Sequence, residues 1–445
     1  MPTDPPIRAP DASSDRARVL WSNSVAQLIG VVCARLSRAA GILLMARALG
    51  PDGFGQLATG LAGYEMLRVI GEAGLDTRLI RLAAQDPGGA QLAARQTIWL
   101  KFRLYAVATL AGALLAFSTG GRNGTALLGA LSVGLVGVAL TGSSQAIATA
   151  RLDARGLIPY QAVAGLVFFV VVTALARLIG TPVAGAIAVG LGDTAAGAIM
   201  FAYTRIPLPP WRTSVSSQAD WTALKEAIPI GAIGILGTAY ARLGVAALAI
   251  FWGTVAVAQY GVSYRVVEIF LLASSAVSGS AYAVTSRIDS NEGVEGTRLL
   301  LNDVLKRVAP PTLLISTVVV AGAPLLPILF GASYAPAVAT TRVLAWALPV
   351  MFVNGLLTAH LYGRGRFRTV LGIAVLNLVV NGAALTVFLQ ISGPPGAAMA
   401  VVCTECGNTF LQSRAAGLGP KSWSIWVAGI SLIAGFAMFG IAIHA

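Results

Sequence analysis

From Ser24 to Ile443 the chain alternates apolar runs of about twenty or more residues with short breaks rich in Gly, Pro, Asp and Arg. Each run is long enough to cross a bilayer as a helix. With the turn residues as punctuation, thirteen spans are predicted, at about 23–48, 55–78, 97–118, 124–150, 159–178, 181–203, 226–251, 255–285, 308–330, 336–361, 368–390, 395–413 and 424–444. The break "ARALGPDGFGQLA" after the first run is typical: Pro and Gly set dihedrals that a continuing helix does not tolerate. It lacks the Lys and the strand–helix context of a phosphate-binding loop. The runs also lack the alternation of membrane β-strands, about ten residues each. The pattern predicts an all-α polytopic membrane protein.

Composition agrees. The chain is 56% hydrophobic and 11% charged, whereas soluble domains carry about a quarter charged residues. The net charge of +13 is distributed unevenly. Lys and Arg gather in every second loop, for example Arg95–Lys101–Arg103, Lys306–Arg307 and Arg364–Arg366–Arg368, while the opposite loops keep Arg47, Arg122 and Arg177. The excess marks the cytoplasmic side and removes the need to invoke nucleic acid. It sets the N-terminus in the cytoplasm and the C-terminus in the periplasm. The polar, proline-rich residues 1–22 read as a cytoplasmic tail, with no apolar core or cleavage site of a signal peptide.

The connection 204–225, with Trp211 and Trp221, separates six spans from six. The predicted organisation is an N-terminal lobe over 23–203, a cytoplasmic linker over 204–225, a C-terminal lobe over 226–413 and an extra C-terminal span within 414–445. The lobes repeat. "ARLSRAAGILLMARALGPDGFG" from Ala34 compares with "ARLGVAALAIFWGTVAVAQYG" from Ala241; Glu65 and Arg68 compare with Arg265 and Glu268, in reversed order; the sixth and twelfth spans each begin at proline and carry one acid, Asp193 or Glu405. Repeats six spans apart share an orientation, so a pseudo-two-fold axis runs along the membrane normal.

Charges inside spans are costly and face a cavity or a partner. Glu65–Arg68 and Arg265–Glu268 are at i,i+3 spacing and can neutralise themselves, either as lobe-stabilising pairs or as part of transport. Arg35, Arg38 and Arg242 have no adjacent acid and suit an anionic headgroup, since guanidinium binds phosphate through two parallel hydrogen bonds. Asp193 and Glu405 either bind a coupling cation or proton, or pair with those arginines. Cys403 and Cys406 form a CxxC inside an apolar run with no second pair, which reads as small packed side chains and not a metal or redox site. No metal or other cofactor is expected.

"ARALGPDGFG", "GLDTRLIRLA", "LPILFGASYAPA" and "GPPGAAMA" resemble the oligosaccharide and polysaccharide flippases of the multidrug/oligosaccharidyl-lipid/polysaccharide (MOP) exporter superfamily. The family usually has twelve or fourteen spans, against the thirteen counted. The resemblance implies two six-helix lobes around a central cavity, and a flippase that moves a polyprenyl-diphosphate-linked oligosaccharide across the bacterial inner membrane by alternating access, for lipopolysaccharide, capsule or exopolysaccharide synthesis. Its implied partners are that lipid-linked glycan, membrane lipids, and a glycan polymerase with assembly proteins. A cation-coupled multidrug antiporter of the same superfamily is the alternative. An enzyme is not expected, because the outer loops are short and carry one acid, Asp52, and catalytic residues are therefore not assigned.

Overall fold

The computed structural model describes residues 12–86, 88–151, 154–204 and 217–444, and these form helices and turns without a strand. The first lobe contains α1 (Ala12–Glu72), α2 (Leu75–Gln85), α3 (Ala90–Ser132), α4 (Gly134–Ala150), α5 (Ala154–Ile179) and α6 (Pro182–Thr204). The second contains α7 (Ser217–Phe251), α8 (Gly253–Gly322), α9 (Leu326–Phe330), α10 (Ala337–Leu344), α11 (Ala347–Gly363) and α12 (Phe367–Ala415), and α13 (Trp423–His444) follows. Two large apolar clusters hold the helices, and the first runs from the first lobe onto Val262, Phe330 and Tyr334 of the second. The first is built on Met45, Leu57, Tyr64, Leu131 and Phe168, the other on Val257, Tyr260, Val350, Met399 and Phe439.

Several helices are too long to cross a bilayer once, and they break at glycine. α1 breaks at Gly50, whose φ of 67° is in the left-handed region, where a Cβ would be strained; Pro51 then starts the second segment with a fixed φ and no amide to satisfy. α8 breaks at Gly293 and α12 at Ser392–Gly393. α12 doubles back there, because a Cβ on Gly396 would lie 1.9 Å from the Phe388 carbonyl oxygen. α3 doubles back as well, with Gly112 against Leu128 and Gly124 against Ala116. Among the described residues nine helical segments are long and apolar enough to cross a membrane. α1 and the first part of α8 are not among the nine; both carry charges at mid-length.

Boundaries differ from the sequence expectation at several places, and α7 begins at Ser217, inside the stretch read as the linker. α1 begins at Ala12, inside the stretch read as a tail, and residues 1–11 lie outside the described residues. The second span ends at Glu72, six residues early, because Ala73 and Gly74 both take positive φ; Leu75–Gln85 is then a separate helix with an apolar face on Leu79 and Ala83. The 286–307 connection is helical apart from Gly293. The tenth span is interrupted at Ala345–Trp346. Of the 204–225 linker, residues 205–216, including Trp211, lie outside the described residues.

The lobes meet backbone to backbone at both ends of the second segment of α1. Near Gly50, a Cβ on Gly55 would lie 1.8 Å from the Thr254 carbonyl oxygen, and Thr254 Oγ1 donates to Asp52 at 2.5 Å. Near Gly74, a Cβ on Gly231 would lie 2.3 Å from the Ala73 carbonyl carbon. Arg78 and Arg81 of α2 reach Glu226 of α7 at 2.9 and 3.6 Å beside that contact.

Candidate functional site

Between the lobes lies a cavity of about 760 Å³. α1 lines it with Arg35, Arg38, Glu65, Arg68 and Glu72, which lie on one helix face in each segment because their spacings are three, four or multiples close to a turn. α2 adds Asp76, α6 adds Asp193, α7 adds Arg242, and α8 adds Arg265 and Glu268. Eight of the nine charged residues singled out in the sequence therefore share this wall. Glu405 does not; it is buried inside the second lobe.

The pairing separates the arginines. Arg38 forms an ion pair with Asp193 and stacks its guanidinium over Phe168, 4.6 Å from the ring centroid. Tyr64 donates to the second Asp193 oxygen at 2.8 Å, so that carboxylate is held from two sides. Close helix packing makes this reach short: a Cβ on Gly137 of α4 would lie 2.0 Å from the Asp193 carbonyl oxygen. Arg68 pairs with Glu65 at 2.7 Å. On the opposite wall Glu268 serves two cations, Arg265 at 2.5 Å and Arg242 at 3.5 Å. The Arg242 Nε is buried and has no partner. Arg35 is exposed to the cavity and forms no ion pair among the described residues.

Chain direction divides the cavity into two zones. At the middle of the helices five arginines, Arg35, Arg38, Arg68, Arg242 and Arg265, face three acids, Glu65, Asp193 and Glu268. Pairing leaves one positive charge at Arg35 on the first lobe and one shared by Arg242 and Arg265 on the second. Toward Gly74 the balance reverses, with Glu72 and Asp76 on the wall. Asp76 is held at 2.5 Å by Lys101, which is 1% exposed. Lys101 was grouped in the sequence with a cytoplasmic basic cluster; it is instead a buried counter-ion of α3, because its stem lies on the face that packs under α2. Glu72 and Asp76 were not singled out. Their signal was present: Glu65, Arg68, Glu72 and Asp76 recur at intervals of three and four, the stripe of one helix face.

Glu405 is surrounded by amides. Asn354 Nδ2 donates to its Oε2 at 2.7 Å, Thr409 donates to Asn354 Oδ1 at 2.8 Å, and Gln412 donates to Asn408 Oδ1 at 2.8 Å. No Lys, Arg or His pairs with it among the described residues. In the CxxC, Cys406 is buried with its Sγ 3.4 Å from the Ala428 carbonyl, and Cys403 is half-buried; both are free thiols. Among the described residues no group of three His, Cys, Asp or Glu is arranged to hold a metal ion.

This fold is found in solved transporters. The chain is similar to the inward-facing conformation of a multidrug resistance MATE family transporter of the MOP superfamily, with 15% identity, a TM-score of 0.70, and 96% of this chain and 98% of that one covered. The outward-facing conformation of such a transporter gives 14% identity, a TM-score of 0.60, and 95% and 96% coverage. A MOP superfamily transporter from Pyrococcus furiosus, described as having a binding pocket of reverse polarity, gives 16% identity, a TM-score of 0.61, and 95% and 96% coverage. No curated protein sequence matches the chain. The sequence profile of the polysaccharide biosynthesis proteins matches residues 44–339, from the end of the first segment of α1 to the start of α10. That match covers more than half of a chain with two helical lobes and a charged cavity between them, and the protein belongs to the polysaccharide biosynthesis protein family.

Proposed function

We propose that the protein is a flippase for a polyprenyl-diphosphate-linked oligosaccharide. The observation that carries this reading is the unbalanced belt at mid-depth, with one unpaired positive charge contributed by each lobe. A diphosphate diester brings about two negative charges, and burying them bare in a bilayer costs several kcal/mol each. Arg35 from one side, and Arg242 with Arg265 from the other, supply two matching cations without dismantling the Arg38–Asp193 or Arg68–Glu65 pairs. The weak Arg242–Glu268 contact and the unpartnered Arg242 Nε leave donors for phosphate oxygens. Because the cations come from both lobes, a bound headgroup draws the lobes together, which links occupancy to alternating access.

The glycan part of the reading is supported by membership of the polysaccharide biosynthesis family. Localisation in a bacterial inner membrane, with the N-terminus and the Gly74 end facing the cytoplasm, follows from the Lys and Arg distribution and is part of the same proposal. So is the association with a glycan polymerase and assembly proteins.

A cation-coupled drug antiporter is the second reading. It is favoured by one observation, the buried Glu405 without a cationic partner, which suits proton or cation coupling. Depletion of the protein distinguishes the two. A flippase leaves a lipid-linked glycan intermediate accumulating on the cytoplasmic face; an antiporter leaves glycan intermediates unchanged and raises intracellular drug.

A further inference from the structure

The cavity wall has an uncharged polar zone that neither the charge belt nor the headgroup reading uses. Thr141, Gln145 and Thr149 recur every fourth residue of α4, and all three face the cavity. Gln161 of α5 lies on the same wall. It is 2% exposed, and neither its Nε2 nor its Oε1 has a hydrogen-bond partner. A buried amide left unsatisfied on both atoms costs about 1–3 kcal/mol. An apolar side chain of similar shape would avoid that cost, so a ligand that completes both bonds gives the amide a purpose.

Among the described residues the second lobe shows no such run of amides and hydroxyls. Its lining is Arg242, Tyr264, Arg265, Glu268, Ile269 and Leu271, which are charged, aromatic or aliphatic. The described threonine and glutamine side chains of the wall come from the first lobe, and they lie between mid-depth and the Gly74 end. Glu72 shares that part of the wall, and no cation pairs with it among the described residues. An amide with a free donor and a free acceptor, hydroxyl and amide side chains one helical turn apart, and a carboxylate acceptor match the chemistry of neighbouring sugar hydroxyls, which both donate and accept.

We propose that Gln161, Gln145 and Thr141 form the sugar-recognition subsite of the cavity, with the diphosphate held one level away at Arg35. The inference rests on the glycan-lipid reading above and deepens it. It assigns sugar contacts to the first lobe, while headgroup charge is met by both lobes. The ligand class is an uncharged, polyhydroxylated sugar attached directly to the diphosphate.

The test uses the full-length protein in lipid nanodiscs and two probes: a polyprenyl diphosphate without sugar, and the same lipid carrying the oligosaccharide extracted from cells that express the protein. Gln161→Leu and Gln145→Leu are each expected to raise the Kd of the glycan-bearing probe about tenfold, the effect of one or two lost hydrogen bonds. The Kd of the sugar-free probe is expected to change less than about twofold, which also shows that each variant is folded. Gln145 is half-buried and open to the cavity, so Gln145→Leu keeps the test decisive if Gln161→Leu does not fold. Arg35→Ala should weaken both probes alike. Equal weakening of both probes by the Leu variants, or unchanged binding of the glycan-bearing probe, overturns the subsite. Wild-type protein that binds neither probe removes the glycan-lipid reading itself, and the subsite with it.

Discussion

Asp193 and Glu405 occupy equivalent places in the two lobes, each the one acid of a helix rich in small residues that begins at proline. Their surroundings are opposite. Asp193 faces the cavity and is neutralised by Arg38, with Tyr64 as a second anchor. Glu405 is off the cavity and is held by Asn354 amid Thr409, Asn408 and Gln412. A carboxylate fixed by a permanent cation is a structural counter-ion. One held by neutral amides can exchange a proton or a small cation without leaving a charge stranded. The difference teaches that the repeat preserved the position of the acid and not its partners, and it is the reason we propose Glu405 over Asp193 for any coupling role.

The largest effect should come from breaking the ion pair of the first lobe. Arg38→Ala leaves Asp193 buried and uncompensated, and is expected to destabilise the protein by about 3 kcal/mol, read as a lowered Tm in detergent. Arg38→Ala combined with Asp193→Asn should recover most of that loss. If the single and double variants unfold alike, Asp193 is not the counter-ion that the contrast requires.

Glu405→Gln should do the reverse. An amide fits among amides, so Tm should stay near wild type, while transport into proteoliposomes loses its dependence on an imposed ion gradient. Asp193→Asn, by contrast, should lower Tm by leaving Arg38 unpaired. Retained gradient dependence in Glu405→Gln would return the two acids to one role.

The unpaired cations come next. Arg35→Ala and Arg242→Ala should each insert normally and fail in flipping, with Lys restoring part of the activity because charge matters more than the planar fork. Wild-type flipping by the double Ala variant, at equal membrane levels, would remove the cationic belt from the mechanism. The smallest effect is expected at the lobe contact beside Gly74. Glu226→Gln removes two partly exposed ion pairs with Arg78 and Arg81, and surface pairs contribute about 1 kcal/mol or less. A Tm shift of more than a few degrees would make that contact part of the folding core.

The architecture was legible because lipid forces long apolar runs and because glycine marks the breaks: Gly50 and Gly393 stand in turns that the sequence already placed. The i,i+3 pairs were legible too, since Glu65 and Arg68 are neighbours on any helix. The partner of Arg38 was not. Asp193 is 155 residues away, and whether two such groups meet depends on helix rotation and packing distance. Lys101 misled for a related reason: a lysine near a span end reads as a snorkelling surface charge, and only the fold of α2 over α3 turns it inward. The uncharged polar wall could not be read at all, because the sequence does not say which Thr and Gln share a face with the cavity.

Two contacts between the lobes, Gly55–Thr254 and Ala73–Gly231, are main chain against main chain, while Phe54, Val262, Phe330 and Tyr334 pack across the boundary beside the first. In mechanical terms such a contact is a bearing. It has no rotamers to reset when the surfaces part and rejoin, and so it adds little side-chain entropy to the barrier. A larger residue at Gly231 would work as a wedge, fixing the angle between the lobes while leaving the ligand site intact.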